Sequence, residues 1–201
     1  MARKDRKQKE KRPSMPVVIG AGITEQWYFS HLKKLKELQI QIRPRFFGNE
    51  HIHALTKNVE HVLASEGRAI VVFDTDVQAW DAGEKTRYEA FIKKYGKDER
   101  VIICDSLPSI EYWFLLHYLN TNRYFRTSKA VVKELLHYIP MFEKTERFLS
   151  TPKWVEDLCA DGKMELATTR ALAFGDKGES YTNIPRLLQS CTPQPATNKK
   201  D

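Results

Sequence analysis

Apolar residues along this chain switch between two spacings, and the switching predicts an architecture. Residues 16–21 form a short run rich in Val and Ile, as a strand buried on both faces would. Tyr28, Leu32, Leu35 and Leu38 then recur at helical spacing with lysines opposite, and Thr24 stands where an N-cap is expected. Residues 40–47 alternate and carry Arg43, Pro44 and Arg45, which suits an edge strand. Ile52, Leu55, Val59, Val62 and Leu63 predict a second helix over 51–65. Residues 68–73 (RAIVVF) and 100–104 (RVIIC) read as two more buried strands, separated by an amphipathic helix over 84–95. An apolar helix over 108–119 opens with a proline near its first turn. From Thr127 on, only helical patterns occur.

This βαβαβαβα order predicts an α/β fold, a mostly parallel sheet with helices on both faces. The core would span 15–125, with a helical C-terminal portion over 126–190 belonging to the same domain and a disordered tail over 191–201. At 201 residues and 41% hydrophobic content the chain can bury a substantial core. No apolar run approaches the roughly 18 residues that a membrane helix needs. Apolar residues begin only at Met15, so no secretory leader is expected. Cys104, Cys159 and Cys191 are scattered and odd in number, which favours a reducing cytoplasm over a disulfide framework or a zinc cluster.

Charge adds one element that periodicity misses. Residues 1–14 hold Arg3, Lys4, Arg6, Lys7, Lys9, Lys11 and Arg12 against Asp5 and Glu10, so seven minus two gives +5 of the chain's +7. Such a segment buries nothing and is expected to be a disordered arm. Its lysines and arginines suit contacts with the phosphates of a nucleic acid, where counterion release supplies salt-sensitive affinity. A solvated tail that only aids solubility is the alternative.

Ligands of open α/β sheets sit beyond the carboxyl ends of the strands, so the residues just after each buried strand carry the chemistry. After the first comes GAGITE with Glu25, after the second DTD (Asp74, Asp76), after the third DSLPSIE with Asp105 and Glu111. Asp74 and Asp76 are two apart, so in extended chain their carboxylates point the same way and repel unless a cation lies between them. Mg²⁺ favours such hard oxygen donors. The bland alternative is a turn cap beside an exposed aspartate. Glu111 falls in the first turn of an apolar helix, where the dipole favours an acid; it or Asp105 could add a ligand or orient a water. His51 and His53 lack a third zinc ligand at suitable spacing, and His117 and His137 read as core or boundary residues. A dinucleotide fingerprint would need glycine where Glu25 stands, although Glu50 could mimic the ribose-binding acid.

Four strings carry a resemblance. They are Gly22-x-Thr24-Glu25-x-x-Tyr28-Phe29, then Asp74-Thr75-Asp76, then Ser106-x-Pro108-x-x-Glu111-x-Trp113-x-Leu115-Leu116-His117, and finally Tyr181-Thr182-Asn183. Together they make the chain resemble the RloB-like family over about 16–190. The resemblance implies a TOPRIM-type domain of bacterial restriction and antiphage loci. It implies Mg²⁺ (or Mn²⁺) held by Asp74 and Asp76, catalysis by Asp74, Asp76, Glu111 and Glu25, and action on nucleic acid, with a possible partner ATPase of the locus. One departure stands out. The family pattern EGxTE places an acid where this chain has Ala21. Two further readings therefore stay open: a non-catalytic nucleic-acid- or partner-binding module with a degenerate site, and a nucleotide-cofactor-binding enzyme.

Overall fold

A computed structural model describes residues 15–20, 22–42, 51–76 and 82–191. The arm over 1–14, Ala21, the far part of the expected edge strand and residues 192–201 lie outside the described residues.

The chain opens with β1 (Val17–Gly20), α1 (Ile23–Leu35), β2 (Gln41–Ile42) and α2 (Ile52–Ala64). It continues through β3 (Ala69–Asp74), α3 (Ala82–Tyr95), β4 (Val101–Leu107) and α4 (Glu111–Leu116). The C-terminal portion comprises α5 (Ser128–Leu135), α6 (Glu146–Leu149), α7 (Lys153–Cys159), α8 (Lys163–Phe174), β5 (Tyr181–Thr182) and α9 (Pro185–Cys191). The strands form one sheet in the order β2-β1-β3-β4-β5, parallel except for β5. The fold class expected from the spacing is therefore the one observed.

Side-chain alternation in the central strands explains why they read as unbroken apolar runs. Val18, Ile70, Val72 and Cys104 face one way, against α1 and the helices from α4 onward. Val17, Ile19, Val71, Phe73, Val101 and Ile103 face the other way, against α2 and α3. Both faces are covered, so neither set could be polar. The C-terminal helices share the first core: Phe142, Leu149, Trp154 and Leu158 are buried with Tyr28 and Phe114.

Several boundaries differ from expectation, each for a local reason. Gly22 is the N-cap of α1, not Thr24, because the chain enters the helix extended at Gly22 (φ −139°, ψ 179°) and Thr24 lies buried within the first turn. β4 runs on to Leu107 because Ser106 and Leu107 pair with β5, a two-residue antiparallel strand in a region that reads as helical throughout. α4 starts only at Glu111, since the backbone of Ile110 and the hydroxyl of Ser109 are engaged by carboxylates. His137 is exposed beyond the end of α5 rather than part of a core, whereas His117 is buried with its Nδ1 on the Trp113 carbonyl. Cys191 belongs to α9, not to the tail. No described helix is long and apolar enough to cross a membrane, and the three cysteines are unpaired.

A buried polar contact joins α1 and α4. The indole N–H of Trp113 donates to Tyr28 Oη at 2.7 Å, with both residues wholly buried. Tyr28→Phe would strand that donor without altering the packing volume much. We expect it to cost about 1–3 kcal/mol, read as a lower midpoint in urea at unchanged slope. An unchanged midpoint would show that the contact contributes nothing.

Candidate metal and phosphoryl-transfer site

Parallel strands place their carboxyl ends together, and three carboxylates meet there. Glu25 lies in the first turn of α1, directly after β1, and is 4% exposed. That turn packs against the strand end: a methyl group at Gly20 would lie 3.1 Å from Glu25 Cβ. Gly20 thus lets the carboxylate-bearing turn fold back onto β1. Asp74 is the last residue of β3, half-buried, on the side of the sheet that faces α1 and α4. Glu111 opens α4 and is fully buried.

Local hydrogen bonds hold these groups in place. Asp74 Oδ1 accepts from the Ile110 backbone N–H at 2.8 Å, which ties the end of β3 to the start of α4. Ser109 Oγ donates to Glu111 Oε2 at 2.5 Å. The other oxygen, Oε1, faces the Lys144 ammonium at 2.9 Å, an ion pair rather than an aligned hydrogen bond. Lys144 is the residue that sequence reasoning missed. It lies in a polar stretch, Glu143-Lys144-Thr145-Glu146, with no strand end or apolar pattern beside it. Its position comes from tertiary structure: Phe142 is buried in the aromatic core and Thr145 caps α6 by accepting from Phe148 N–H.

Loss of solvent around the Asp74 carboxyl, and then the nearby Glu25 and Glu111 carboxylates, push its pKa well above the ordinary aspartate range; Lys144 and the Ile110 N–H only partly offset this. Burial acts to lower the Lys144 pKa, but Glu111, with Asp74 and Glu25 behind it, outweighs that and holds it raised. The charges acting on Asp74 are thus two carboxylates and one ammonium.

The remaining candidates fall elsewhere. Asp76 is half-buried two residues past Asp74, next to segment 77–81, which lies outside the described residues. The like charges acting most strongly on Asp74 are Glu25 and Glu111, not its neighbour in the DTD string. Asp105 pairs in register with Phe73, so it points to the opposite face of the sheet. There its oxygens accept from Tyr181 Oη at 2.9 Å and Asn183 Nδ2 at 2.7 Å. It is a structural anchor for β5, not a member of the cluster. Tyr181 Oη also reaches Thr75 Oγ1 at 3.2 Å, and Thr182 Oγ1 meets Ser106 Oγ at 2.8 Å. The Tyr-Thr-Asn string thus braces the Asp-Thr-Asp turn from the far side. His51 lies across the sheet, 3.3 Å from Glu84 of α3.

Residues 16–196 match the family model described as RloB-like protein. The chain belongs to the RloB-like family. No curated protein and no solved structure matches it. Three of the four strings that carry the resemblance supply the carboxylates, one each, and the fourth braces the Asp-Thr-Asp segment through Tyr181 and Thr75. Tyr28 of the first string also holds Trp113 of the third.

A divalent cation suits this donor set by chemistry, since its oxygens are hard carboxylate donors. Among the described residues no group of three or more His, Cys, Asp or Glu side chains is arranged to hold a metal ion as it stands. The fit is one of charge and donor type, not of preformed coordination.

The raised pKa of Asp74 fixes the sign of a pH effect. The folded chain holds a proton that the unfolded chain releases, so the associated stability is present at low pH. It is lost as pH rises from the ordinary value of 3.8 through the raised folded value. Asp74→Asn keeps the Oδ1 acceptor and removes the titration. In EDTA its stability relative to wild type should therefore improve as pH rises above about 4. Parallel stability–pH curves would contradict the assignment.

Proposed function

We propose that this RloB-like protein is a Mg²⁺-dependent phosphodiesterase that acts on nucleic acid in a cytoplasmic bacterial phage-defence system. The observation that carries the reading is the gathering of Glu25, Asp74 and Glu111 beyond the ends of parallel strands, close enough for both glutamates to act on the Asp74 carboxyl. A TOPRIM-type site uses such an arrangement, and Asp76 would complete its aspartate pair. A bound Mg²⁺ would polarise a phosphoryl oxygen and lower the pKa of a water molecule. In this reading Asp74 and Asp76 hold the ion and Glu25 and Glu111 orient water or ion from either side. Ile110 N–H and Ser109 Oγ fix the directions of two of those carboxylates.

A nucleic-acid track beside the cluster is supported by the surface of residues 121–133. Arg123, Arg126, Lys129 and Lys133 are exposed there, and Tyr124 is 48% exposed. Tyr112, adjacent to Glu111, anchors this stretch by donating to the Thr121 carbonyl at 2.8 Å. Cations of this kind engage phosphates, and an exposed tyrosine offers a face for a base to stack on. The arm over 1–14 would add salt-sensitive affinity, and a partner ATPase of the same locus would supply regulation.

The competing reading is a binding module that kept the fold and lost catalysis. Ala21 in place of the family's leading acid favours it, as does an ammonium seated on Glu111. One assay separates the two. Wild type, Asp74→Asn and Ala21→Glu are incubated with single- and double-stranded DNA and RNA in Mg²⁺, Mn²⁺ or EDTA. Catalysis predicts cleavage by wild type that EDTA stops. Asp74→Asn should reduce it by more than the roughly 100-fold that losing an outer partner of a metal site costs. Cleavage only by Ala21→Glu would mark a degenerate site, and cleavage by none would leave the binding module.

A further inference from the structure

We infer that Lys144 is a tethered cation that fills one of the cation positions of the acid cluster, so that the ammonium and a divalent ion exclude each other at Glu111. This inference rests on the metal-site reading above, and it concerns how the chain's own residues tune that site.

Three observations support it. The first is position. Lys144 Nζ lies 2.9 Å from Glu111 Oε1, the one oxygen of that carboxylate not held by Ser109. It is also close enough to Asp74 and Glu25 to be felt by both. An ammonium at that point contacts Glu111, one of the carboxylates that a divalent ion would draw on. The second is asymmetry of burial. Glu111 has no exposed side-chain surface, whereas the Lys144 side chain keeps 44% of its own. The acid belongs to the interior, and the base reaches it from the solvent side, so the pair can part without opening the core. The third is mounting. Phe142, two residues before, is locked among Phe114, Phe148 and Trp154, and Thr145, one residue after, caps α6. The backbone on each side of Lys144 is fixed while its side chain is long and jointed, which suits a cation that swings aside when another arrives.

Electrostatics fixes the direction of the effect. A divalent ion that draws on the Glu111 carboxylate comes as close to the ammonium as one carboxylate group allows. Like charges at that separation repel strongly in a site with little water. The ammonium also occupies the Glu111 oxygen that would otherwise be a donor. Lys144 keeps the metal-free cluster intact and at the same time weakens its hold on metal.

The test is Mn²⁺ binding to the full chain, followed by electron paramagnetic resonance of the free ion, with no substrate present. Lys144→Met keeps the length of the stem and removes the charge. It should bind Mn²⁺ about tenfold tighter than wild type or better, and its melting temperature should fall in EDTA and recover with Mn²⁺. Lys144→Arg retains a cation and should match wild type. Lys144→Met alone leaves Glu111 buried without a partner and could fail to fold in any solution. The comparison is therefore repeated with Glu111→Gln against Lys144→Met/Glu111→Gln, where no charge is left uncompensated at that position. The double variant should bind Mn²⁺ tighter than Glu111→Gln alone. Equal or weaker binding on removal of the ammonium, in both backgrounds, overturns the inference while leaving the metal site standing. Binding by Lys144→Met but not by wild type supports the inference and removes the proposal of native Mg²⁺ catalysis. Failure of every variant to bind Mn²⁺ overturns both.

Discussion

Carboxylates gathered where water is scarce must be neutralised, and this end of the molecule is organised around that requirement. Glu25 and Glu111 are almost wholly buried, and Asp74 lies between their elements. Burial of isolated charge costs more free energy than a domain of this size can spare. The chain answers with several devices at once. The Asp74 pKa is pushed up, which favours its uncharged form, backbone and hydroxyl donors are aimed at Asp74 and Glu111, and an ammonium is brought in from a distant loop. The convergence of three acids on one strand-end region is the physical reason for regarding the cluster as a cation site and not as an ordinary buried network.

The sheet makes the cluster possible. Parallel pairing of β1, β3 and β4 aligns their carboxyl ends, so residues far apart in sequence emerge side by side. The packing of α1 on Gly20, the Tyr28–Trp113 contact and the Thr75–Tyr181–Asp105 chain then fix the elements that carry the acids. The helical C-terminal portion is not an appendage to this arrangement. It delivers Lys144, and its α6 is tied to α1 by His31 Nε2 and the Leu149 carbonyl at 2.9 Å.

Much of this was legible in the amino-acid order, for reasons that differ element by element. The strands at Val17–Gly20, Ala69–Asp74 and Val101–Leu107 are buried on both faces, which forces unbroken apolar runs that no helix of this length would show. Asp74 was legible because it follows its apolar run at once, and Glu25 and Glu111 because each falls in the first helical turn a few residues beyond its strand. Lys144 was not, because nothing local distinguishes it from a solvated lysine; only the aromatic packing of Phe142 and the cap at Thr145 bring it inward. The two-residue β5 is too short to leave a period, and its role is carried by side-chain bonds. Asp105 looked equivalent to Asp74 from its place after a strand. A register of one residue sends it to the opposite face. The aspartate pair was read as the source of mutual repulsion, whereas the repulsion on Asp74 comes mainly from glutamates on neighbouring helices.

The central claim is that the buried carboxylates at the strand ends form a site for one divalent cation. Anomalous diffraction from crystals of the full chain soaked in Mn²⁺ tests it most directly. The account predicts a peak at the carboxyl ends of β1 and β3, within coordinating distance of the Asp74 carboxylate, with the Lys144 ammonium withdrawn from Glu111. A fully soaked crystal with no anomalous peak among Glu25, Asp74 and Glu111, and Lys144 still seated on Glu111, would contradict it.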